Sequence, residues 1–392
     1  MKIIRTSTVP MSLNTFCKEL LKDLKENEGY EVIAVSSPES ELSEIEKREG
    51  VKTYGVRMER HISPLKDLVS LWKLIRVFRK EKPNMVHSIT PKAGLLSMMA
   101  AWICRVPVRL HTFTGLVFPT ETGLKQKILI LTDRITCDCA THISPEGEGV
   151  KKDLINYGIT KKPLKVLGHG NVRGIDLEHY NPELPEVIEE TNKIKEKFLV
   201  VSKGLGNSLY NKPFVFAFVG RLVKDKGINE LISAFSKVTR EFPDTKLLLV
   251  GPEERDLDPL DCETINEIEN NPGIIAVGSQ KDVRPWLLAA DALVFPSYRE
   301  GFPNVVIEAG AMGLPSIVTN INGSREIIKD GENGIIIPPG DEECLYHAMS
   351  RFVENPGKVR SMGQTSRPMV ASRYEQGYVR QCLKDYYKEI LK

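Results

Sequence analysis

The sequence predicts an α/β fold built from two doubly wound parallel sheets. Short apolar runs of strand length alternate with longer amphipathic stretches along the chain, which is typical of parallel strands covered by helices. This pattern occurs as two successive sets, with a charged stretch at 181–211 between them. A chain of 392 residues is long enough to bury two separate cores.

The first set of apolar runs is typical of strands joined by helices. Helical spacing of apolar residues predicts helices at 14–27, 64–81, 93–105, 125–139 and 147–157. The apolar runs predict strands at 2–6, 31–36, 53–56, 85–88, 108–112, 141–144 and 164–167. Ser12 is expected to cap the helix at 14–27, because a serine hydroxyl can accept a hydrogen bond from an N–H group of the first turn.

The second set of apolar runs follows the charged stretch, and its clearest helix is predicted at 228–240. Its strands are predicted at 214–220, 246–251, 274–277, 292–296, 316–319 and 334–337. We expect domains at 1–180 and 212–373, joined by a connector at 181–211 that contains one polar helix. A helix within 374–392 is expected to pack back on the first domain.

Apolar patterning and cysteine usage argue against a membrane-spanning or exported protein. The sequence has no run of 18 apolar residues, and Met1–Thr6 lacks the apolar core of a signal peptide. Seven scattered cysteines are interpreted as reduced cytosolic thiols. Cys137 and Cys139 are too close in sequence for a usual zinc or redox motif. The predicted localisation is therefore cytoplasmic.

The charge is unevenly distributed along the chain. The formal net charge of +2 combines +8 for residues 1–165, which hold 27 Lys and Arg against 19 Asp and Glu, with −6 for the remainder. A basic first half suits an anionic surface or acceptor, although solvated helix faces explain the same charge. We expect no nucleic-acid partner.

The stretch 64–82 combines apolar residues at helical spacing with many basic residues. A basic amphipathic helix can bind an anionic membrane, but a helix that covers the sheet of the first domain has the same apolar periodicity. We favour the covering helix, whose basic face remains available for peripheral contact with lipid headgroups at the inner face of the membrane. The apolar residues are Leu65, Leu68, Leu71, Trp72, Ile75 and Phe78.

The most informative segment for function is Glu300-Gly-Phe-Pro-Asn-Val-Val-Ile-Glu308. Gly301, Pro303 and Asn304 separate a predicted strand from a predicted helix. A tight turn into a helix N-terminus presents free N–H groups where the helix dipole favours an anion. Two carboxylates around such a turn suit a ligand with hydroxyl groups on both sides of its phosphates, as in a nucleotide-sugar. A general acid/base pair is the alternative.

A cationic loop follows the first strand of the second set. Arg221 and Lys226 lie between that strand and the helix at 228–240, at the sheet edge where open α/β folds bind ligands. Arginine offers a fork of donors to phosphate oxygens and lysine a mobile charge. A solvated loop with incidental basic residues is the alternative, but the nearby Glu300–Glu308 segment favours a diphosphate site.

These segments together resemble the retaining family 4 glycosyltransferases of the GT-B fold, in which two Rossmann-like domains face each other across a cleft. The resemblance covers most of 214–356 and is looser in the first half, where 111–115 and 176–182 fit. The matching motifs are Arg221-x4-Lys226, Glu300-x7-Glu308, Ala309–Pro315, Asn322–Glu326 and Asp330–Gly334.

The resemblance implies how the donor is held. Arg221 and Lys226 bind its diphosphate and stabilise the leaving group, which is then the main catalytic contribution. The turn that adds backbone N–H groups and lines the phosphates consists of Gly301, Phe302, Pro303, Asn304 and Val305.

The resemblance also assigns three residues to the sugars of the donor. Glu308 binds the ribose hydroxyls, and Glu300 binds the transferred sugar. His111 faces the donor sugar across the cleft. Family members commonly have a glycine-rich loop after the first strand, whereas Ser7–Ser12 contains no glycine.

The implied function is that of a retaining glycosyltransferase that moves a sugar from a nucleotide-sugar, with UDP-sugar as first choice, to a saccharide or lipid-linked acceptor in cell-surface polysaccharide synthesis. We expect no cofactor and no metal ion, because Asp256-Leu-Asp258 lies in an acidic loop away from the cationic one. Two alternatives remain: an isomerase of the UDP-sugar 2-epimerase kind, and a non-catalytic subunit of a transferase complex, which the glycine-free loop suggests.

Overall fold

The computed structural model describes residues 1–61, 63–199, 213–254 and 258–392, and the chain divides into two units. The first unit comprises Met1–Gly174 and Gln376–Lys392, and the second comprises Ile175–Glu375. Each unit contains a six-stranded sheet whose strand pairs are parallel. The predicted α/β fold class with two doubly wound sheets is confirmed.

The sheet of the first unit has the strand order β3-β2-β1-β4-β5-β6. Its strands are β1 (Lys2–Thr6), β2 (Glu31–Ser36), β3 (Lys52–Gly55), β4 (Met85–Ile89), β5 (Val108–Phe113) and β6 (His142–Pro145). Its helices before residue 175 are α1 (Pro10–Cys17), α2 (Leu20–Glu26), α3 (Ser40–Glu49), α4 (Pro64–Glu81), α5 (Pro91–Ile103), α6 (Gly123–Cys139) and α7 (Glu148–Asn156).

The sheet of the second unit has the strand order β12-β11-β10-β7-β8-β9. Its strands are β7 (Val215–Val219), β8 (Lys246–Val250), β9 (Ile274–Gly278), β10 (Ala292–Phe295), β11 (Ser316–Thr319) and β12 (Gly334–Ile337). Its helices are α8 (Pro185–Ile194), α9 (Ile228–Glu241), α10 (Cys262–Asn270), α11 (Arg284–Ala289), α12 (Asn304–Ala311), α13 (Ser324–Ile327), α14 (Glu342–Glu354) and α15 (Pro356–Tyr374).

Both strand orders place a topological switch point in the middle of the sheet. In the first unit the chain winds outward from β1 on one side and from β4 on the other, and in the second unit it does so from β7 and β10. The loops after two such neighbouring strands diverge at the carboxyl edge and leave a crevice between them. Ligands of doubly wound folds bind in this crevice.

Both faces of each sheet are buried, which explains the nearly continuous apolar sequence of the strands. In β7, Phe216 and Phe218 pack into one core of the second unit. Val215 and Ala217 alternate with them and pack into a core on the other face. The sheet of the second unit is therefore held from both sides, and its polar side chains lie at the strand ends and in the loops.

The unit boundaries differ from the domains predicted from sequence. The units divide between Gly174 and Ile175 and between Glu375 and Gln376, and α8 belongs to the second unit instead of a connector. Val187 and Ile194 of this helix are buried in the cores of that unit, which explains the difference. Residues 200–211 of the predicted connector lie outside the described residues.

Local structure near the N-terminus corrects two predictions. The helix expected at 14–27 is divided into α1 and α2, because Glu19 adopts a left-handed conformation with φ of 62°. The N-cap of α1 is Val9, so Ser12 lies inside the first turn and does not cap the helix. The predicted strand at 164–167 is reduced to a single bridge between Ile143 and Leu164.

The amphipathic helix α4 buries only part of its apolar surface. Leu74 and Phe78 lie in the core of the first unit, whereas Leu65 is 81% and Trp72 is 55% exposed. Leu68 is exposed as well. The helix therefore covers the sheet, as expected, but it also exposes apolar side chains, which the sequence interpretation assigned to the sheet. Within the described part of the chain, no helix is both long and apolar enough to span a bilayer.

The last helix, α16 (Gln376–Ile390), packs on the sheet of the first unit. The hydroxyl of Tyr387 accepts a hydrogen bond from Arg5 Nη1 at 2.7 Å and lies 2.5 Å from His87 Nδ1. His87 Nε2 is 2.7 Å from Thr112 Oγ1. Arg5, His87 and Tyr387 are all buried, so this network gives polar partners to a buried guanidinium.

We expect Tyr387→Phe to lower the free energy of unfolding by about 1–3 kcal/mol, because the substitution leaves a buried charged donor short of a partner. The matched control is Tyr386→Phe, since Tyr386 is buried on the same helix and its hydroxyl has no hydrogen bond to any residue in the described ranges. Urea unfolding followed by tryptophan fluorescence measures both changes. Equal effects of the two substitutions would contradict this role of the hydroxyl.

Candidate functional site

The loops after β7 and β10 bound the crevice of the second unit. These strands are neighbours, with Phe216 paired to Ala292, so the two loops leave the sheet side by side. Gly227 ends the first loop with φ of 71°, and a Cβ atom at this position would lie 2.2 Å from the carbonyl oxygen of Pro296. Only glycine allows this approach, which brings the cationic loop directly against the loop that carries Glu300.

Lys226 and Glu300 form an ion pair between these two loops. Nζ of Lys226 donates to Oε1 of Glu300, and the side chains are 16% and 18% exposed. Ser297 Oγ lies 3.2 Å from the same carboxylate oxygen, and the ring centroid of Phe295 is 5.7 Å from Nζ. The structure therefore brings together the two motifs that the sequence predicted to form one site.

Arg221 lies at the mouth of the crevice and has an acidic partner. Its Nη1 donates to Oε2 of Glu254, in the loop after β8, at 2.7 Å. The Arg221 side chain is 49% exposed, and exposed ion pairs contribute about 0–1 kcal/mol. An incoming anion can therefore replace Glu254 at low cost, which keeps the guanidinium oriented and yet available.

The turn between Glu300 and α12 is fixed by close packing. Phe302 and Pro303 are buried, and the Phe302 ring contacts Tyr374 edge to face at 5.4 Å. A Cβ atom on Gly323, whose φ is 71°, would lie 2.6 Å from the Cα atom of Phe302. This packing presents the first turn of α12, which begins at Asn304, at the carboxyl edge of the sheet.

Gly301 and Val305 flank the buried part of this turn. Gly301 is buried and Val305 is partly buried as the second residue of α12. Glu308 lies one turn into α12 and is 9% exposed, as its spacing from the turn predicted. The residues expected to hold a nucleotide-sugar thus share one edge of the second unit.

His111 belongs to β5 in the first unit, and its ring is an interior group with 1% of the residue exposed. Nδ1 lies 2.8 Å from Ser88 Oγ, and a Cβ atom on Gly94 of α5 would lie 2.4 Å from Cε1. Burial lowers the pKa of His111 to about 3, so the imidazole is neutral at physiological pH. In this conformation α5 covers the ring.

A cluster of hydroxyl groups, which was not predicted from the sequence, lies at the switch point of the first unit. Thr90 Oγ1 accepts a hydrogen bond from the Thr8 N–H at 3.1 Å and lies 2.8 Å from Thr8 Oγ1. Ser37 Oγ donates to the Thr8 carbonyl at 2.7 Å. Thr90 has φ of 75°, which is unusual for a β-branched residue and marks strain. These hydroxyls fix the loop that lacks glycine, and the only sequence clue was their position at strand ends.

The acidic motif Asp256-Leu-Asp258 lies in part outside the described residues, which include Asp258 but not Asp256. Asp258 Oδ2 accepts a hydrogen bond from the Asp225 N–H at 2.7 Å. Asp258 therefore supports the cationic loop. Among the residues that the structure describes, no group of three or more His, Cys, Asp and Glu is arranged to hold a metal ion.

Comparison with known families gives two matches that together cover most of the chain. Residues 206–369 match the family described as glycosyl transferases group 1. Residues 13–170 match the family described as glycosyl transferase 4-like domain. The first match contains Arg221, Lys226, Glu300 and Glu308, and the second contains His111.

Three known proteins illustrate the similarity. The capsular polysaccharide biosynthesis glycosyltransferase CapM of Staphylococcus aureus is 31% identical over 392 residues, which covers 100% of this chain and 98% of CapM. An Escherichia coli UDP-Gal:alpha-D-GlcNAc-diphosphoundecaprenol alpha-1,3-galactosyltransferase is 29% identical over 308 residues, or 76% of this chain and 73% of that enzyme. The crystal structure of Anabaena HepE with UDP and glucose matches with a TM-score of 0.78 at 17% identity, covering 99% of this chain and 100% of HepE.

Lowering the pH from about 7.5 to about 5 is expected to destabilise the first unit through its two buried neutral histidines. Burial holds the pKa of His111 at about 3, and burial together with the Arg5 charge holds the pKa of His87 well below its usual value. The unfolded chain binds protons at these side chains below about pH 6.5, so stability is present above that pH and is lost as the pH falls.

His111 accounts for about 2 kcal/mol of this loss at pH 5. Urea unfolding of the wild type and of His111→Gln at both pH values measures it, because the substitution removes the share of His111 and leaves that of His87. Equal pH dependence in the two proteins would contradict a neutral, buried His111.

Proposed function

The chain belongs to the group 1 glycosyltransferases of the GT-B fold, and we propose that it transfers a sugar with retention of configuration from a UDP-sugar to a saccharide or lipid-linked acceptor in polysaccharide synthesis. The observation that carries this proposal is the Lys226–Glu300 ion pair at the switch point of the second unit. In the proposal, Lys226 binds the diphosphate and Glu300 binds the sugar, and the ion pair brings these two side chains together in the loops before α12.

The names of similar proteins support the choice of donor and acceptor. The E. coli relative is named for UDP-galactose as donor and for a sugar linked to diphosphoundecaprenol as acceptor. CapM is named for capsular polysaccharide biosynthesis, and HepE was crystallised with UDP and glucose. A UDP-sugar and a lipid-linked acceptor are therefore the first probes to use with this chain.

Donor binding in this proposal exchanges partners at two cations. The diphosphate replaces Glu300 at Lys226 and Glu254 at Arg221, and the first N–H groups of α12 add dipoles directed at the same charge. Cleavage of the bond between the sugar and the phosphate increases the negative charge on the leaving diphosphate. Cations and N–H dipoles already in place stabilise this charge, each by a few kcal/mol.

The two glutamates have positioning roles in the proposed reaction. Glu300, released from Lys226 by the donor, accepts hydrogen bonds from the transferred sugar, and Glu308 accepts them from the ribose. We propose retention by attack of the acceptor on the face from which the diphosphate leaves, with no covalent intermediate on the protein. The chain's own contribution is then leaving-group stabilisation and orientation, and no metal ion is required.

In the proposed reaction, His111 offers Nε2 of its ring to a hydroxyl group of the donor sugar. Its Nδ1 faces Ser88, and a neutral ring can still offer the second nitrogen to a sugar hydroxyl. Such a contact requires movement of α5, because Gly94 lies against the ring.

We also propose peripheral contact of the first unit with an anionic membrane at its cytoplasmic face. Leu65, Leu68, Val69 and Trp72 of α4 form an exposed apolar stripe, with Lys66, Lys73 and Arg76 on the same helix. Arg76 lies over the Trp72 ring at 4.6 Å. Leu124 and Leu131 of α6 are also exposed. Apolar side chains with surrounding cations complement an anionic lipid surface, where a lipid-linked acceptor resides.

Lys226→Ala is expected to lower kcat by about 100- to 1,000-fold, because it removes a cation that stabilises the negative charge of the leaving diphosphate. The matched control in the same loop is Lys224→Ala, since Lys224 is an exposed residue paired with Asp261 and should keep kcat within about twofold of the wild type. Thermal-shift screening of UDP-sugars first identifies the donor, because binding stabilises the fold. Turnover is then followed as UDP release with GlcNAc-diphosphoundecaprenol as the acceptor probe.

Product analysis by NMR decides between the proposed transfer and its alternatives. An α-linked product from an α-linked donor supports retention. An epimerised UDP-sugar formed without acceptor would indicate an isomerase. Donor binding with neither transfer nor donor hydrolysis would indicate a non-catalytic subunit.

Leu68→Glu is expected to reduce binding to vesicles of equal parts phosphatidylglycerol and phosphatidylcholine by at least about fivefold, because a carboxylate would enter the lipid interface. The matched control is Ile188→Glu, an exposed apolar residue of α8 in the second unit. Vesicle co-sedimentation measures both variants. Wild-type binding by Leu68→Glu would argue against α4 as the membrane contact.

A further inference from the structure

Two ion pairs lie side by side between the loops after β7 and β10. Nε of Arg299 is 3.0 Å from Oδ1 of Asp225, and the next residue in each loop forms the Lys226–Glu300 pair. The β7 loop carries an acid followed by a base, and the β10 loop carries a base followed by an acid. Opposite charges therefore face each other in only one alignment of the two loops. If one loop shifted by one residue, two acids or two bases would face each other.

Asp225 is held at its amide, its carbonyl and its side chain. Its N–H donates to Asp258 Oδ2 at 2.7 Å, and its carbonyl accepts from the Tyr298 N–H at 3.0 Å. Ser297 Oγ lies 3.3 Å from the same carbonyl. Asp225 thus connects the loops after β7, β8 and β10, next to the lysine that the proposed function assigns to the diphosphate.

The two ion pairs differ in what happens when a donor binds. The Lys226–Glu300 pair must open, because the diphosphate takes Lys226 and the sugar takes Glu300. The Asp225–Arg299 pair is not assigned to any part of the donor and is not opened in this exchange. It then remains, with the Tyr298–Asp225 backbone hydrogen bond, to hold the loops together while the neighbouring pair is separated.

We infer that Asp225 and Arg299 are positioning residues for the transfer reaction, which keep Lys226 and Glu300 in register after the donor has opened their ion pair. This inference rests on the proposed function. Small displacements of groups that bind a transition state reduce the rate strongly, since catalysis depends on orientation. A moderately exposed ion pair that adds little to stability can therefore have a large effect on kcat.

An alternative role for Arg299 is direct binding of the donor. Its Nε faces Asp225, and its side chain is 37% exposed, so the guanidinium is within reach of solvent. Direct binding predicts that the positive charge must stay at position 299. Positioning predicts that the charges can exchange places between 225 and 299, provided that they remain opposite.

The experiment compares Asp225→Asn, Arg299→Gln and the charge-reversed double variant Asp225→Arg/Arg299→Asp with the wild-type chain. We expect each single substitution to lower kcat by about 10- to 100-fold and to raise the donor KM and the UDP dissociation constant only by about two- to fivefold. The double variant should recover at least about tenfold in kcat over either single variant. Lys224→Gln, which breaks the exposed Lys224–Asp261 pair, is the matched control and should behave as wild type.

Several outcomes would overturn the inference. Single variants with wild-type kcat would remove the positioning role, and a double variant with no recovery and a raised donor KM would identify Arg299 as a donor ligand. Asp225→Asn retains the backbone hydrogen bonds of Asp225, and a melting temperature near that of the wild type shows that a loss of activity is not a loss of fold. If Asp225→Asn does not fold, Asp225→Ser takes its place: a kcat as low as that of Arg299→Gln supports the pair, and a wild-type kcat contradicts it.

UDP binding, measured by calorimetry, separates this inference from the proposed function. A wild-type chain that binds UDP but transfers no sugar would contradict the proposed function alone. In that case the UDP dissociation constant would still show whether the Asp225–Arg299 pair keeps the two loops aligned. Weaker binding in both single variants with recovery in the double variant supports the pair, and unchanged binding in the single variants overturns it.

Discussion

The ion pair between Lys226 and Glu300 depends on the position of β10 next to β7 in the sheet of the second unit. These residues belong to loops that are far apart in sequence, and they meet because the two strands are neighbours whose carboxyl ends lie at one edge. Gly227 then allows the loop backbones to approach each other at Pro296. The turn at Phe302 and the start of α12 follow in the loop after β10.

The charged groups of this site are paired before any ligand arrives. Lys226 and Glu300 neutralise each other in a mostly buried position, where a single unpaired charge would be costly. Arg221 is paired with Glu254 at a more exposed position. The cations are therefore held in ion pairs of different exposure. In the proposed function, a diphosphate replaces the carboxylates without first leaving a bare buried charge.

In the first unit, hydrogen bonds of hydroxyl groups fix the loops at the switch point, where no glycine-rich loop is present. Thr8, Ser37 and Thr90 bond to one another and to the backbone, and Thr90 carries the strain of a positive φ. Nearby, His111 and His87 are neutral and fully enclosed.

Strand positions and most helices of this unit follow from periodicity, but α3 was missed because few apolar residues mark its buried face. The break between α1 and α2 was also missed, because a left-handed glutamate has no sequence signature.

The sequence by itself determined the two doubly wound sheets, the order of the motifs along the chain and the identity of the charged residues at the carboxyl edge of the second sheet. Strand and helix periods are local properties, so they can be read from neighbouring residues. The tertiary structure decided which charges pair: Lys226 with Glu300, Asp225 with Arg299, and Arg221 with Glu254. It also decided that His111 lies beneath α5 and that half of α4 faces outward. These outcomes depend on strand order and on packing between distant segments, which no local pattern specifies.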